Sequence, residues 1–205
     1  AVSKELEYIY VDTGALYRAI GLYVKERNAD TKSAKEVSAW LSEIDIGIKF
    51  VDGEQRVFIN GEDVSDKIRT PEISMAASDV SAIPTVREFL FEFQKKLARE
   101  NNVIMDGRDI GTVVLPNADI KIFLTASPEE RAKRRFNELV QKGQSPIFED
   151  VLKDIIQRDY NDSHREIAPL KQADDAVLAD TTGKSLDESV ELIKGIISER
   201  LGDNK

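Results

Sequence analysis

The amino-acid sequence predicts an α/β protein: a parallel sheet flanked by helices, with a small antiparallel β insert. Three observations carry this. Short β-branched and aromatic runs alternate with segments of helical periodicity, the pattern of parallel strands joined by helical crossovers. One block, residues 44 to 65, changes to period two with two-residue turn signals. The 205 residues are 41% hydrophobic and 33% charged, which excludes disordered, collagen-like and low-complexity chains.

The elements follow in order. Ala1 to Leu6 reads as the end of a helix leading into a strand, Tyr8-Ile9-Tyr10-Val11, bounded by Asp12-Thr13-Gly14. Leu16, Ile20, Tyr23 and Val24 recur at helical spacing from Ala15 to about Lys25, with Thr13 as the cap and Gly21 weakening the run. A helix starts at Ser33 and runs to Leu41, carrying Val37 and Trp40. Ile44 to Phe50 alternates with period two, Arg56 to Asn60 is a second strand, and Asp52-Gly53 and Asn60-Gly61 are hairpin turns.

Helical periodicity resumes over Pro71 to Ala82 and Pro84 to Asn101, the latter with Val86, Phe89, Leu90, Phe93 and Leu97 on one face. Val103 to Asp106 and Ile120 to Leu124 read as buried strands. Pro128 opens a helix to Gln141, which Gly143 and Pro146 break, and another spans Phe148 to Ser163. Asp175 to Ala179 is the last strand. Ser185 to Leu201 closes the chain as a helix with Leu186, Val190, Ile193 and Ile197 inward.

Composition also limits function. The formal charge of −9 argues against broad nucleic-acid binding, so any anion must be held by local arginine clusters against the overall field. With no Cys, disulfides, thiolate metal sites and cysteine nucleophiles are excluded. No apolar run approaches the ~18 residues of a membrane span, and no signal peptide is visible, so the expected location is cytoplasmic with no membrane partner.

Four groups carry chemistry, each with a plainer reading beside it. Asp12 to Arg18 lies at a strand's carboxyl end, where open α/β sheets bind ligands, although spacing alone favours a capped helix start. Asp106-Gly107-Arg108-Asp109 follows a strand: Asp106 suits a magnesium-bound water, Gly107 permits close approach, and Arg108 suits a phosphate. A polar turn explains the same residues. Arg131, Arg134 and Arg135 share one helical face, as a phosphate clamp or a solvated surface paired with Glu129, Glu130 and Glu138. Arg158, Asp162 and Arg165 share a face if their helix continues that far, with His164 beside them. Together the groups place several arginines on separate elements and require no nucleophile, which is what phosphoryl transfer asks of a protein.

At these residues the sequence resembles bacterial cytidylate kinases. YIYVDTGALYRA (8 to 19), MAASDVSAIPTVR (75 to 87), MDGRDIGTVVLPNADIKIFLTAS (105 to 127) and RDYNDSHREIAPLKQADDAVLADTT (158 to 182) carry the resemblance in order along essentially the whole chain. It implies the P-loop nucleoside monophosphate kinase fold. A core would comprise residues 1–40, 84–128 and 148–205, with a monophosphate-binding insert at 41–83 and a lid at 129–147. It implies a kinase of pyrimidine nucleotide metabolism that passes the γ-phosphate of ATP, with Mg2+, to CMP or dCMP and acts as a monomer.

By the same resemblance Thr13, Tyr17, Ser78, Arg87 and Asp109 line the CMP pocket, with Ser78, Arg87 and Asp109 facing cytosine. Arg18, Arg108 and Arg165 surround the acceptor phosphate. Arg158 and Asp162 hold the ribose hydroxyls, and Arg131, Arg134 and Arg135 meet the ATP phosphates. These lid arginines are expected to have no tight acidic partners until phosphates arrive, their mutual repulsion favouring an open lid whose residues 130 to 147 are mobile. Ser78, Arg87 and Asp109 argue against the nearest alternative, a UMP- or dTMP-type kinase. The family pattern opens with a strand and a Gly-rich loop ending Gly-Lys-Ser/Thr, which these 205 residues do not contain. The expectation is that these residues alone are inactive and that their numbering starts after an N-terminal segment. A non-catalytic nucleotide-binding protein is the alternative if the loop is truly missing.

Overall fold

The computed structural model describes residues 1–51 and 54–202, which form two compact units. The larger unit comprises residues 3–110 and 165–169; the second comprises 1–2, 111–164 and 170–205. A short opening helix, α1 (Val2–Glu5), precedes the first strand.

In the larger unit β1 (Ile9–Asp12) pairs in parallel with β5 (Val103–Asp106), Ile9 opposite Val103 and Asp12 opposite Asp106. This register brings two carboxylates level at the carboxyl ends of adjacent strands. Helix α2 (Thr13–Glu26) starts there, and its cap differs from the expectation. Asp12 is the N-cap, accepting from the Ala15 amide at 2.9 Å, while the Thr13 hydroxyl donates to the Asp106 carbonyl at 2.6 Å. The carboxylate wins the cap because it also favours the positive end of the helix dipole. Gly21 fits a close approach: a Cβ there would lie 3.1 Å from the Ala76 backbone, where α2 meets α4 (Pro71–Ser81).

Helix α3 (Ala34–Leu41) is capped by Ser33 as the sequence predicts, and α4 by Thr70 ahead of Pro71. The antiparallel insert is β2 (Ile46–Val51), β3 (Glu54–Ile59) and the short β4 (Glu62–Asp63). Asn60 and Gly61 both have positive φ and close the β3–β4 hairpin, as a turn of that sequence requires. The other expected turn, Asp52-Gly53, lies outside the described residues. Helix α5 (Pro84–Glu100) sends Val86 and Leu90 into a core shared with Leu16, Ile20, Val24, Val37, Val57, Ile68 and Val80. That core holds α2, α4, α5 and the insert together.

In the second unit β6 (Ile122–Thr125) and β7 (Val177–Asp180) form a second parallel pair. Helix α6 (Pro128–Gln141) has the predicted bounds, set by the Ser127 cap and Pro128 in its first turn. Helix α7 (Phe148–His164) follows, and α8 (Leu186–Gly202) closes the chain behind a reciprocal cap between Ser185 and Glu188.

Two expectations are corrected. Strands β5 and β6 are not buried: β5 is partly exposed throughout and Leu124 of β6 is well exposed, since each strand has one hydrogen-bonded neighbour among the described residues. On α8, Ile196 is the buried residue, and Leu186 faces solvent because it occupies the first position of the helix. Among the described residues no helix is long and apolar enough to cross a membrane.

Candidate active site

At the ends of β1 and β5 the two carboxylates have different surroundings. Asp12 is satisfied by the Ala15 amide and by Arg69, whose Nη1 lies 2.9 Å from Oδ2. Asp106 accepts from the Tyr10 phenol at 2.8 Å. Burial and, next, the Asp12 charge push the Asp106 carboxyl up to about 6, against the Tyr10 hydrogen bond and the Arg108 cation. Burial together with the nearby carboxylates also raises the Tyr10 phenol well above its ordinary value.

Gly107 follows directly. A Cβ there would come within 2.5 Å of Thr13 Oγ1 and 2.7 Å of Ile110 Cγ1. The close approach foreseen at this glycine is thus made by the protein's own Thr13 and Ile110. It locks the Asp106–Asp109 turn against the start of α2.

Beyond that turn lies a buried ionic set. Asp109 pairs with Arg87 of α5 through Oδ2, and Arg165 Nη2 approaches its Oδ1 at 3.7 Å. All three side chains are less than a tenth exposed. Arg87 Nη1 also donates to the Ser81 carbonyl at 3.2 Å, Arg165 Nη1 to Ser81 Oγ at 3.1 Å, and Ser81 Oγ to the Ser78 carbonyl at 2.9 Å. The Tyr17 ring lies 5.9 Å from Arg87 Cζ. Two guanidiniums around one carboxylate leave the cluster net positive, as an anionic ligand requires. Arg18 belongs to the same unit, its Nη1 donating to the Ile68 carbonyl at 3.2 Å.

Arg165 does not continue the face of Arg158 and Asp162, as it would on a longer helix. Helix α7 ends at His164, and Arg165 Nε turns to the Ala168 carbonyl, closing a bend where Ala168 has φ of 48°. In the second unit Arg158 Nε and Asp162 Oδ2 are 3.8 Å apart, and Asp162 is buried. His164 stacks on Tyr160 at 4.0 Å, a structural contact at the end of its helix.

The arginines of α6 differ from the expectation. Arg131 forks onto Asp159 at 2.9 and 2.5 Å, Arg134 reaches Glu130 at 3.2 Å and the Thr181 carbonyl at 2.7 Å, and Arg135 reaches Glu138 at 2.8 Å. Each has a tight acidic partner, because Glu130 and Glu138 stand one turn away on the same face and α7 presents Asp159. These pairs are partly open to solvent.

The larger unit therefore gathers Thr13, Tyr17, Arg18, Ser78, Arg87, Asp106, Arg108, Asp109 and Arg165, and the second unit holds Arg131, Arg134, Arg135, Arg158 and Asp162. Arg69, Ser81 and Gln94 were not foreseen: Asp12 and Arg165, which meet Arg69 and Ser81, lie 57 and 84 residues away, and no local spacing marks Gln94.

Parallel strand ends, a locked Asp-Gly-Arg-Asp turn and buried arginines make an α/β site suited to an anionic ligand. A family model described as cytidylate kinase matches residues 1–199. The chain belongs to the cytidylate kinase family. It is 53% identical to the cytidylate kinase of Caldicellulosiruptor bescii over 192 residues, which is 94% of this chain and 85% of that protein. The cytidylate kinases of Lactobacillus johnsonii and Carboxydothermus hydrogenoformans are 49% and 44% identical, each over 97% of this chain, covering 86% and 90% of those proteins.

Proposed function

We propose that the protein transfers the γ-phosphate of ATP to CMP or dCMP, giving CDP or dCDP. The observation that carries this is the buried Arg87–Asp109–Arg165 set against Ser78, Ser81 and Tyr17. A carboxylate and a hydroxyl accept hydrogen bonds from an exocyclic amine. Uracil offers a carbonyl at that position and leaves them unpaired, a difference that a polar site reads strongly. Thr13, Tyr17, Ser78, Arg87 and Asp109 bind the nucleoside, while Arg18, Arg108 and Arg165 neutralise the acceptor phosphate. Arg158 and Asp162 bind the ribose hydroxyls, the carboxylate accepting both. Arg131, Arg134 and Arg135, within a lid of residues 129–147, take the ATP phosphates.

The acceptor is a phosphate already ionised at neutral pH, so no strong base is needed. What the side chains do is align two anions and offset their charge. The Asp106 carboxylate, at the carboxyl end of β5, fits Mg2+, which binds through one or two carboxylates with waters and substrate phosphates. Asp106, crowded by like charge, would hold it through water. When bound, the ion supplies charge neutralisation between the phosphates.

A coupled assay of the full-length protein tests the reading: CMP and dCMP are turned over and UMP poorly. UMP turnover equal to that of CMP would overturn the base-recognition argument.

A further inference from the structure

Gln94 is a buried polar residue that the reading above leaves unused. It stands seven residues after Arg87 on α5, two turns along the same face, and is 1% exposed. Its Nε2 has no hydrogen-bond partner. A buried amide donor left unpaired costs ~1–3 kcal/mol, whereas an apolar side chain of similar volume would fill the site without that cost. Core volume alone therefore does not explain a glutamine here.

Its neighbour supplies the reason. The carboxamide faces the Tyr17 phenol, where it opposes the upward push that burial gives the phenol's pKa. Tyr17 in turn lies under Arg87, and Arg87 holds Asp109. Gln94, Tyr17, Arg87 and Asp109 thus form one row inside the larger unit. A donor from Gln94 occupies the phenol oxygen as acceptor and leaves the phenol's own proton for another group.

Resting on the site reading above, we propose that Gln94 is a positioning residue for monophosphate binding: its carboxamide closes onto Tyr17 Oη when CMP seats the ring, orienting the phenol proton toward the nucleotide. Hydrogen bonds of this kind are commonly long before the ligand binds and tighten in the complex. The energy appears only with the monophosphate in place, so the residue acts on KM for CMP. It does not act on ATP or on the transfer step.

The test uses Gln94→Leu and Gln94→Met in the full-length protein, each alone and with Tyr17→Phe. KM for CMP should rise about 3- to 10-fold, the span of one lost hydrogen bond. KM for ATP and kcat should stay within about twofold, and Tm should not fall, since an unpaired buried donor has been removed. In the Tyr17→Phe background the Gln94 substitution should add nothing, because it acts through the phenol oxygen. A lowered Tm with KM for CMP unchanged would make Gln94 a purely structural residue and overturn the proposal, as would full additivity with Tyr17→Phe. Wild-type protein that neither binds nor phosphorylates CMP would instead remove the site reading itself, and this inference with it.

Discussion

Replacing Asp109 with alanine takes the shared carboxylate from between two buried guanidiniums. Arg87 would keep its bond to the Ser81 carbonyl, and Arg165 its bonds to Ser81 Oγ and the Ala168 carbonyl, so hydrogen bonding survives in part. The charge balance does not. Breaking a buried pair by deleting one partner costs ~3–5 kcal/mol, because the remaining charge stays buried without compensation. The Arg165 contact is long at 3.7 Å, so the lower end of that range applies. For a chain of this size ~1 kcal/mol moves Tm by about 2–4 °C, giving an expected fall of roughly 6–12 °C. Calorimetry at neutral pH without nucleotide measures it. Inorganic phosphate should restore more of the loss in Asp109→Ala than it adds to wild type, by replacing the missing negative charge. A Tm within about 2 °C of wild type, the size of a surface-pair effect, would show that solvent already screens the set and refute the buried-pair argument.

Asp162→Ala should lower kcat/KM for CMP and dCMP far more than the ~1 kcal/mol that a surface pair with Arg158 is worth, because Asp162 is buried; unaltered kinetics would reduce it to a helix salt bridge. Gly107→Ala should destabilise by ~1–3 kcal/mol, since its methyl group has no room beside Thr13 and Ile110, and an unchanged denaturation midpoint would mean the turn yields freely. Burial holds the Tyr17 phenol above its ordinary value, so the unfolded chain ionises first as pH climbs past about 10. The stability present below that pH is lost as pH rises above it. Tyr17→Phe should therefore lose less stability than wild type between about pH 9 and 11, and equal losses would show that Tyr17 ionises as it does unfolded.

The legibility of the sequence depends on how local the deciding interaction is. Helix α6 could be read to the residue because Ser127 and Pro128 set its start, and Ser33 marks α3 for the same reason. The Asn60-Gly61 turn required only its two residues. Where groups distant in sequence meet, local reading fails: Asp12 is the cap, and the Thr13 hydroxyl is turned to the Asp106 carbonyl, 93 residues away. The site divides in the same way. The Asp-Gly-Arg-Asp turn and the arginine spacing on α6 are visible in the chain, whereas Arg87 on Asp109 and Arg165 on Ser81 are contacts made by the fold. Gln94 looks like an exposed helix residue until α5 is packed.

The arginine pairings also correct the account of how an acidic chain manages polyanions. If the cations of α6 waited unpaired, their repulsion would hold them apart. Instead a chain of net charge −9 gives each one a carboxylate, so the guanidiniums stay oriented without phosphate. Such half-open pairs are worth only ~0–1 kcal/mol. A phosphate chain, with more charge and more acceptor oxygens, can replace the carboxylates at little cost. Arg87 and Asp109 are under a tenth exposed, and separating them is expensive. The protein therefore carries two kinds of paired arginine, one exchangeable at the surface of α6 and one fixed beside the β5 turn. A partner that is released each cycle suits the first kind. A base that must be told from its close analogue suits the second, where no side chain is free to adapt to the wrong one.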